Sequence, residues 1–270
     1  MSTEPIIAFG QQPCGFFPRR FLVAKIWTAR RLREQMGGRI VYFCHDSDHD
    51  PRETRTILRR RGSVEAAALN FAVGGKLQRK FSPLYAKRIA PGWHERTLAQ
   101  LPNYVERELI DLFGKTAAET VADFCLEMYR RMGLLDGIDV VRSSDPAVRR
   151  RACEVGDFYV DVVYEGEIVR ARVKDGALQL HEGGESFVTL PPTGFGKEQV
   201  SPARDTRLRW MQSVLRCTHY VSGAGEQDYL NLEDAPEITF VRREPIDRSD
   251  EAYVELPRAA AGRGLRRPSR

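Results

Sequence analysis

The chain has 270 residues, enough for one large or two modest domains, and its 42% hydrophobic and 29% charged residues exclude a disordered, collagenous or membrane-embedded polypeptide. The formal charge of +5 is uneven: residues 1–100 carry +10, residues 101–257 carry −10, and the tail 258–270, with five Arg and no acid, carries +5. A near-neutral body weakens a nucleic-acid role except through that tail, whereas the basic first third suits an anionic small-molecule substrate.

No apolar run approaches the roughly 18 residues of a membrane helix, and Met1 to Phe9 lacks the basic start and apolar core of a secretory signal, so no membrane partner and a cytoplasmic address are expected. Cys14, Cys44, Cys125, Cys153 and Cys217 form no C-x-x-C pair and read as reduced thiols, mostly packing residues. Cys14 stands apart because of its glycine-rich neighbours.

In chain order, Ile6-Ile7-Ala8-Phe9 is a short apolar strand stopping at Gly10, and Arg39 to Cys44 is a second, rich in β-branched and aromatic residues. Between them Phe21, Leu22, Lys25, Ile26, Ala29, Leu32 and Met36 mark one helical face, closed by Gly37-Gly38. This βαβ unit implies parallel strands. A second helix is expected near Arg52 to Arg61, with Asp50-Pro51-Arg52-Glu53 as its capping sequence. Residues 62–90 read as strands and turns, and 91–133 as helical. Ile138 to Val141 restores the strand signal, and Asp145-Pro146 starts another helix. From Phe158 to Val173 the spacing fits either strands turning at Glu165-Gly166 or a helix, and Ala177 to Leu190 fits a hairpin around Gly183-Gly184. A helix over Arg204–Arg216, a strand over Thr218–Ser222, a short helix over Glu226–Leu232 and a strand over Glu237–Arg242 complete the pattern.

The alternation predicts an α/β fold, a parallel sheet with helices on both faces and an inserted region. Its parts are a first stretch of the core at 1–61, an inserted β/helical region at 62–133, the remainder of the core with a small β-hairpin insertion at 134–256, and a disordered basic tail at 257–270.

Ligands of open parallel sheets bind beyond the carboxyl ends of the strands, and three loops should lie there. Gly10-Gln11-Gln12-Pro13-Cys14-Gly15 leads to Arg19-Arg20 and a helix start, a combination of close backbone approach, free N–H groups and charge suited to an anion, although no P-loop is present. His45-Asp46-Ser47-Asp48-His49-Asp50 packs five ionisable groups into six residues. Capping accounts for Asp50; catalysis or ligand binding and a metal site are the competing readings of the rest. Ser222-Gly223-Ala224-Gly225-Glu226 is a glycine turn after a strand. Arg19, Arg20 and Arg207 are candidate anion clamps or, alternatively, solvated surface charges.

Gly10-Gln11-Gln12-Pro13, the aromatic strand leading into Asp48-His49-Asp50, the Asp145-Pro146 helix, and Ser201-Pro202, Arg207 and Val221 to Glu226 together resemble the cysteine-adding ligase family of bacillithiol biosynthesis. The order agrees, and so does the 19-residue step from Arg207 to Glu226. The resemblance covers residues 6–58, 133–150 and 200–230, and the chain looks like a shortened relative, with Ser47 where the family usually has Glu, Ala224 in place of a proline, and no heptad run for the family's coiled coil.

The resemblance implies a nucleotidylyltransferase-like Rossmann core related to class I aminoacyl-tRNA synthetases, binding ATP or ADP, with magnesium as a candidate companion ion. The implied reaction joins the carboxyl group of cysteine to an amine. In this sequence Gln11 and Gln12 would contact phosphate or substrate, His49 oriented by Asp48 would stabilise charge or move a proton, and Gly10, Gly223, Gly225 and Glu226 would hold the nucleotide. The catalytic set is thus Gln12, Asp48 and His49, with no protein-bound metal. A non-catalytic nucleotide-binding or interaction protein is the alternative.

Overall fold

A computed structural model describes residues 4–228, 230 and 232–258. The chain opens with β1 (Ile6–Gln11), α1 (Arg20–Met36) and β2 (Arg39–Cys44), followed by a hairpin of β3 (Thr56–Arg59) and β4 (Ala66–Leu69). Helices α2 (Lys76–Lys80), α3 (Trp93–Gln100), α4 (Arg107–Gly114) and α5 (Val121–Arg131) lead to β5 (Ile138–Arg142) and α6 (Pro146–Arg151). Strands β6 (Phe158–Tyr164), β7 (Glu167–Lys174), β8 (Ala177–Gly183), β9 (Ser186–Thr189) and β10 (Val200–Pro202) come next. The chain then returns through α7 (Arg207–Leu215), β11 (His219–Ser222), α8 (Ala224–Gln227) and β12 (Thr239–Arg242).

Two sheets organise these elements. The first is parallel throughout, in the order β12-β11-β1-β2-β5. From β1 the chain steps to β2 and β5 on one side, then returns to β11 and β12 on the other, so the order reverses between β1 and β11. This is a Rossmann-like arrangement, and its ligand crevice belongs at that reversal. Period-two alternation decides which helices cover which face. Ile7, Phe9, Ile40 and Tyr42 pack with Leu22, Val23 and Ile26 of α1 and Phe124 and Met128 of α5. Ala8, Val41 and Phe43 face the other way, against Val148 of α6 and Leu208, Trp210 and Met211 of α7. Helices therefore flank both faces, and among the described residues none is long and apolar enough to cross a membrane.

The second sheet is antiparallel, in the order β10-β6-β7-β8-β9, so the insertion between α6 and α7 is a whole sheet where one small hairpin was expected. Residues 158–173 are strands, and the alternative helix is excluded. Glu165 and Gly166, both at positive φ (48° and 77°), form the two-residue turn between β6 and β7, and Asp175 and Gly176 (51° and 75°) repeat it between β7 and β8. Val160, Val162, Val169 and Leu180 bury one face of this sheet against Phe81 and Leu77.

The helix expected over Arg52 to Arg61 is instead a turn followed by β3. Asp50 does cap, but it caps a turn: its carboxylate accepts from the Arg52 backbone N–H at 2.9 Å and pairs with the Arg52 guanidinium. Thr56 to Arg59 then finds β4 as a partner, and that pairing overrides the local helix signal. The helix expected at 226–232 begins earlier, at Ala224, which places Glu226 in its first turn. Most of the expected basic tail, from residue 259 onward, lies outside the described residues; Arg258 reaches Glu108 at 3.6 Å.

The two sheets are tied by an ion pair between Arg149 of α6 and Asp161 of β6, 2.7 Å apart with both side chains no more than 3% exposed. Tyr85 donates to the same Asp161 oxygen at 2.9 Å. Removing one member leaves the other charge buried without its partner. Arg149→Met should lower unfolding free energy by about 3–5 kcal/mol, read by urea denaturation. The double variant with Asp161→Asn should be less damaging than additivity predicts.

Candidate active site

The crevice between β1 and β11 has a floor built around one glycine. A Cβ on Gly10 would lie 2.6 Å from the Tyr220 hydroxyl and 2.7 Å from Nε2 of His45, so no other residue fits without displacing one of them. The Gly10 N–H donates to the Tyr220 hydroxyl at 3.1 Å, and that hydroxyl donates to Glu226 at 2.9 Å. Lys25, only 2% exposed, donates to the Gly10 carbonyl at 2.8 Å and to the other Glu226 oxygen at 2.5 Å. Gly10, Tyr220, Glu226 and Lys25 thereby close a ring. It satisfies both backbone groups of Gly10 and neutralises a buried lysine.

Above this floor opens a cleft of about 730 Å³ between the two sheets. Gln12, Asp48, His49 and Arg207 line its inner end, Tyr159 and Arg170 come from the antiparallel sheet, and Arg79 and Lys80 reach in from α2. A smaller recess of about 40 Å³ runs from Gln12 and Arg207 down to Gly10, Gln11, His45 and Glu226. The structure thus brings Gln12, Asp48, His49 and Arg207 to one cleft, from three distant parts of the chain.

Asp48 is the hub. Its carboxylate accepts from the Gln12 amide, from Arg207 at 3.2 Å and from the His49 backbone N–H at 2.7 Å, and faces Arg170 at 3.5 Å. Burial works to raise this carboxyl, but Arg170 and Arg207 override it and hold it well below the usual carboxylate range. Arg170 also stacks on Tyr159, 4.0 Å from the ring centroid.

The His49 imidazole is not hydrogen-bonded by Asp48. Its Nδ1 lies 3.7 Å from the carboxylate, is buried, and has no hydrogen-bond partner among the described residues. Burial first, and the Arg170 charge second, push the imidazole down to about 4, so it is neutral at physiological pH. His45, packed edge-on against Phe43 beneath it, is driven in the same direction by burial.

The polar loop divides its labour. Asp46, fully buried, accepts from the Ser144 N–H at 2.9 Å and the Ser144 hydroxyl at 2.7 Å and pairs with Arg142, pinning the loop to the end of β5. Asp50 holds the turn already described. Among the described residues no three His, Cys, Asp or Glu side chains converge as a metal site.

Two of the expected anion clamps lie elsewhere. Arg19 is spent on the Arg52 carbonyl at 2.8 Å and on Glu53 and Asp250, and Arg20 turns away to stack on Tyr253 at 4.8 Å. Successive residues at a helix start point in different directions, and of the three expected clamps only Arg207 lines the cleft. Gly223 ends β11 and donates to Glu226 at 3.2 Å; Gly225 sits in α8; neither lines the cleft or the recess. Cys14 is buried beside Tyr129, and burial raises its thiol, which leaves it a packing residue.

Lys25 and Arg170 escaped the sequence reading as site residues. Lys25 lay in plain view as a cation inside an apolar helical face, a pattern that demands a buried partner. Arg170 carried no signal, because one arginine in an alternating strand reads as an outward charge. No family model and no curated protein matches this chain.

Two outcomes follow from this geometry. Gly10→Ala should cost about 1–3 kcal/mol by overpacking, seen as a lower denaturation midpoint, and should separate Tyr220 from Glu226. For His49, the unfolded chain binds a proton near 6.5 and the folded chain only near 4, so folding excludes that proton. Stability should therefore fall as pH drops from 6.5 toward 4, and His49→Gln should make that slope shallower, measured by denaturation across the range.

Proposed function

We propose that this chain is an enzyme that binds an adenine nucleotide and joins a carboxylate to an amine, a shortened relative of the cysteine-adding ligases with a nucleotidylyltransferase-like version of the parallel core. The observation that carries this reading is the meeting of Gln12, Asp48, His49 and Arg207 at the mouth of the strand-order reversal. Residues that far apart in sequence meet at a ligand crevice only if the fold assembles them there.

The cleft's chemistry suits anionic reactants. Its acids are already matched: Asp48 by Arg170 and Arg207, Asp50 by Arg52, Glu53 by Arg19, Glu182 by Lys76. Arg79 and Lys80 make no carboxylate pair among the described residues, which leaves positive charge facing the cleft. In this reading those side chains and Arg207 hold phosphate oxygens, with guanidinium forks giving paired donors. Magnesium then travels with the nucleotide, since no unmatched cleft carboxylate is left to bind it.

Activation of the carboxylate puts negative charge on phosphate oxygens, and Gln12 and Arg207, both fixed by Asp48, are preorganised donors for it. A neutral His49 is a weak base. As the nitrogen–carbon bond forms, the bond from the acyl carbon to the phosphate oxygen breaks, the departing phosphate stays on Gln12 and Arg207, and the amine's proton passes by way of the His49 ring to water. Glu226 acts indirectly, through the floor. The five cysteines, all free thiols, accord with a reducing, cytoplasmic setting.

The test is turnover of labelled ATP with cysteine and other amino acids in the presence of an amino-sugar acceptor, alongside a nucleotide-dependent rise in melting temperature. At a hundredfold excess over its dissociation constant a ligand binding only the native state stabilises by about 2.7 kcal/mol. Gln12→Ala and His49→Ala should abolish turnover while leaving the fold intact. Nucleotide binding without any turnover would assign the chain to the non-catalytic alternative, and no melting shift at millimolar nucleotide, with and without magnesium, would overturn both.

A further inference from the structure

Away from the crevice, beside the first turn of α1, a second cavity of about 380 Å³ is lined by Arg20, Arg59, Arg61, Arg248 and Tyr253, with Asp247 and Glu255 also on its wall. Arg59 is matched by Glu251, at 2.7 Å. Arg20, Arg61 and Arg248 have no carboxylate within salt-bridge distance among the described residues. Arg20 lies over the Tyr253 ring, 4.8 Å from its centroid, and its Nε is buried without a hydrogen-bond partner among the described residues. Tyr253 is in turn braced by Trp27, with ring centroids 6.1 Å apart. Arg248 stands at φ +52°, a left-handed conformation that L residues adopt sparingly, in the segment whose backbone carbonyls bind the start of α1.

We propose that this cavity is a binding site for a phosphate-bearing small molecule, separate from the main cleft. Three unmatched guanidiniums around one space repel each other, and an anion between them relieves that repulsion. Asp247 and Glu255 set the threshold, because a monoanion gains little against two wall carboxylates whereas a phosphate monoester or diphosphate brings at least two charges. Tetrahedral phosphate oxygens also match guanidinium forks, and the ordered Arg20 already presents one. The site does not depend on the reaction proposed above. Its position ties it to α1, the helix that carries Lys25 under the crevice floor.

The probe is pyrophosphate, titrated calorimetrically into the full chain at low ionic strength. Because the main cleft is also cationic, the measurement is made in an Arg79→Ala, Lys80→Ala background. Pyrophosphate should still bind there, and adding Arg61→Ala with Arg248→Gly should weaken it at least tenfold with little change in melting temperature, since both side chains are exposed and glycine accepts the Arg248 backbone angle. Arg61→Glu, which leaves that backbone untouched, should give the same loss. Loss of all pyrophosphate binding in the Arg79→Ala, Lys80→Ala background, or unchanged affinity after the Arg61 and Arg248 substitutions, would overturn the site.

Discussion

The carboxylate of Asp48 joins the two sheets where they meet at the cleft. Gln12 comes to it from the loop after β1, Arg207 from the start of α7, and Arg170 from β7 of the antiparallel sheet. Two arginines so close would repel strongly in a poorly hydrated crevice, and the carboxylate between them turns that repulsion into cohesion. The Arg149–Asp161 pair makes a second tie on the same side, again between a helix of the parallel layer and the antiparallel sheet. Both ties are electrostatic and hydrogen-bonded rather than apolar, so the cleft keeps its width because defined atoms touch across it.

The floor follows a different logic. Both backbone groups of Gly10 are satisfied within the protein, and the carboxylate of Glu226 is shared by Tyr220, Lys25 and the Gly223 N–H. Residues that resemble a ligand-binding signature in sequence are here partly the means by which β1 and β11 are locked together. The side chains left to address a ligand stand one layer higher, on Gln12, His49, Arg207 and the cations of α2. Rigidity below and, above, the cations Arg79 and Lys80 without a carboxylate pair among the described residues are what a preorganised anion site requires.

How much of this could be read from the sequence depends on whether a local pattern had one physical solution. The strand Arg39 to Cys44, the helix before it and β5 were legible because apolar periodicity and glycine termination agree there, whereas the first strand, expected to stop at Gly10, runs on to Gln11 because Gly10 and Gln11 still pair with Phe43 and Cys44 of β2. Asp50-Pro51-Arg52-Glu53 did not have one solution: an aspartate before a proline caps a turn as readily as a helix, and only the later strand β4 (Ala66–Leu69) decides for a strand. The antiparallel sheet was ambiguous at residues 158–173, although Asp175-Gly176 is as strong a hairpin signal as Glu165-Gly166. At the site, Gln12, Asp48 and His49 were legible as polar residues on sheet-edge loops, and Arg207 as one of three candidate anion clamps. Arg19 and Arg20 were not separable from them, because the direction of a side chain at a helix start is fixed by packing against the strap at residues 247–253, which no local pattern reveals.

The pairing of Ile7 with His219, across most of the chain, bears on how the protein is made. During synthesis β1, α1 and β2 emerge early and can associate locally, but β1 keeps one edge unpaired until β11 leaves the ribosome. At about 5–20 residues per second that interval lasts on the order of ten seconds or more. Throughout it the apolar backbone edge of Ile7 and Ala8 is open to mispairing, and the glycine at its end has neither its tyrosine nor its glutamate partner. The crevice is thus among the last features of the nascent chain to form, so a ribosome-bound fragment ending before residue 219 would carry most of the helices but only the Gly10 and Lys25 half of the floor.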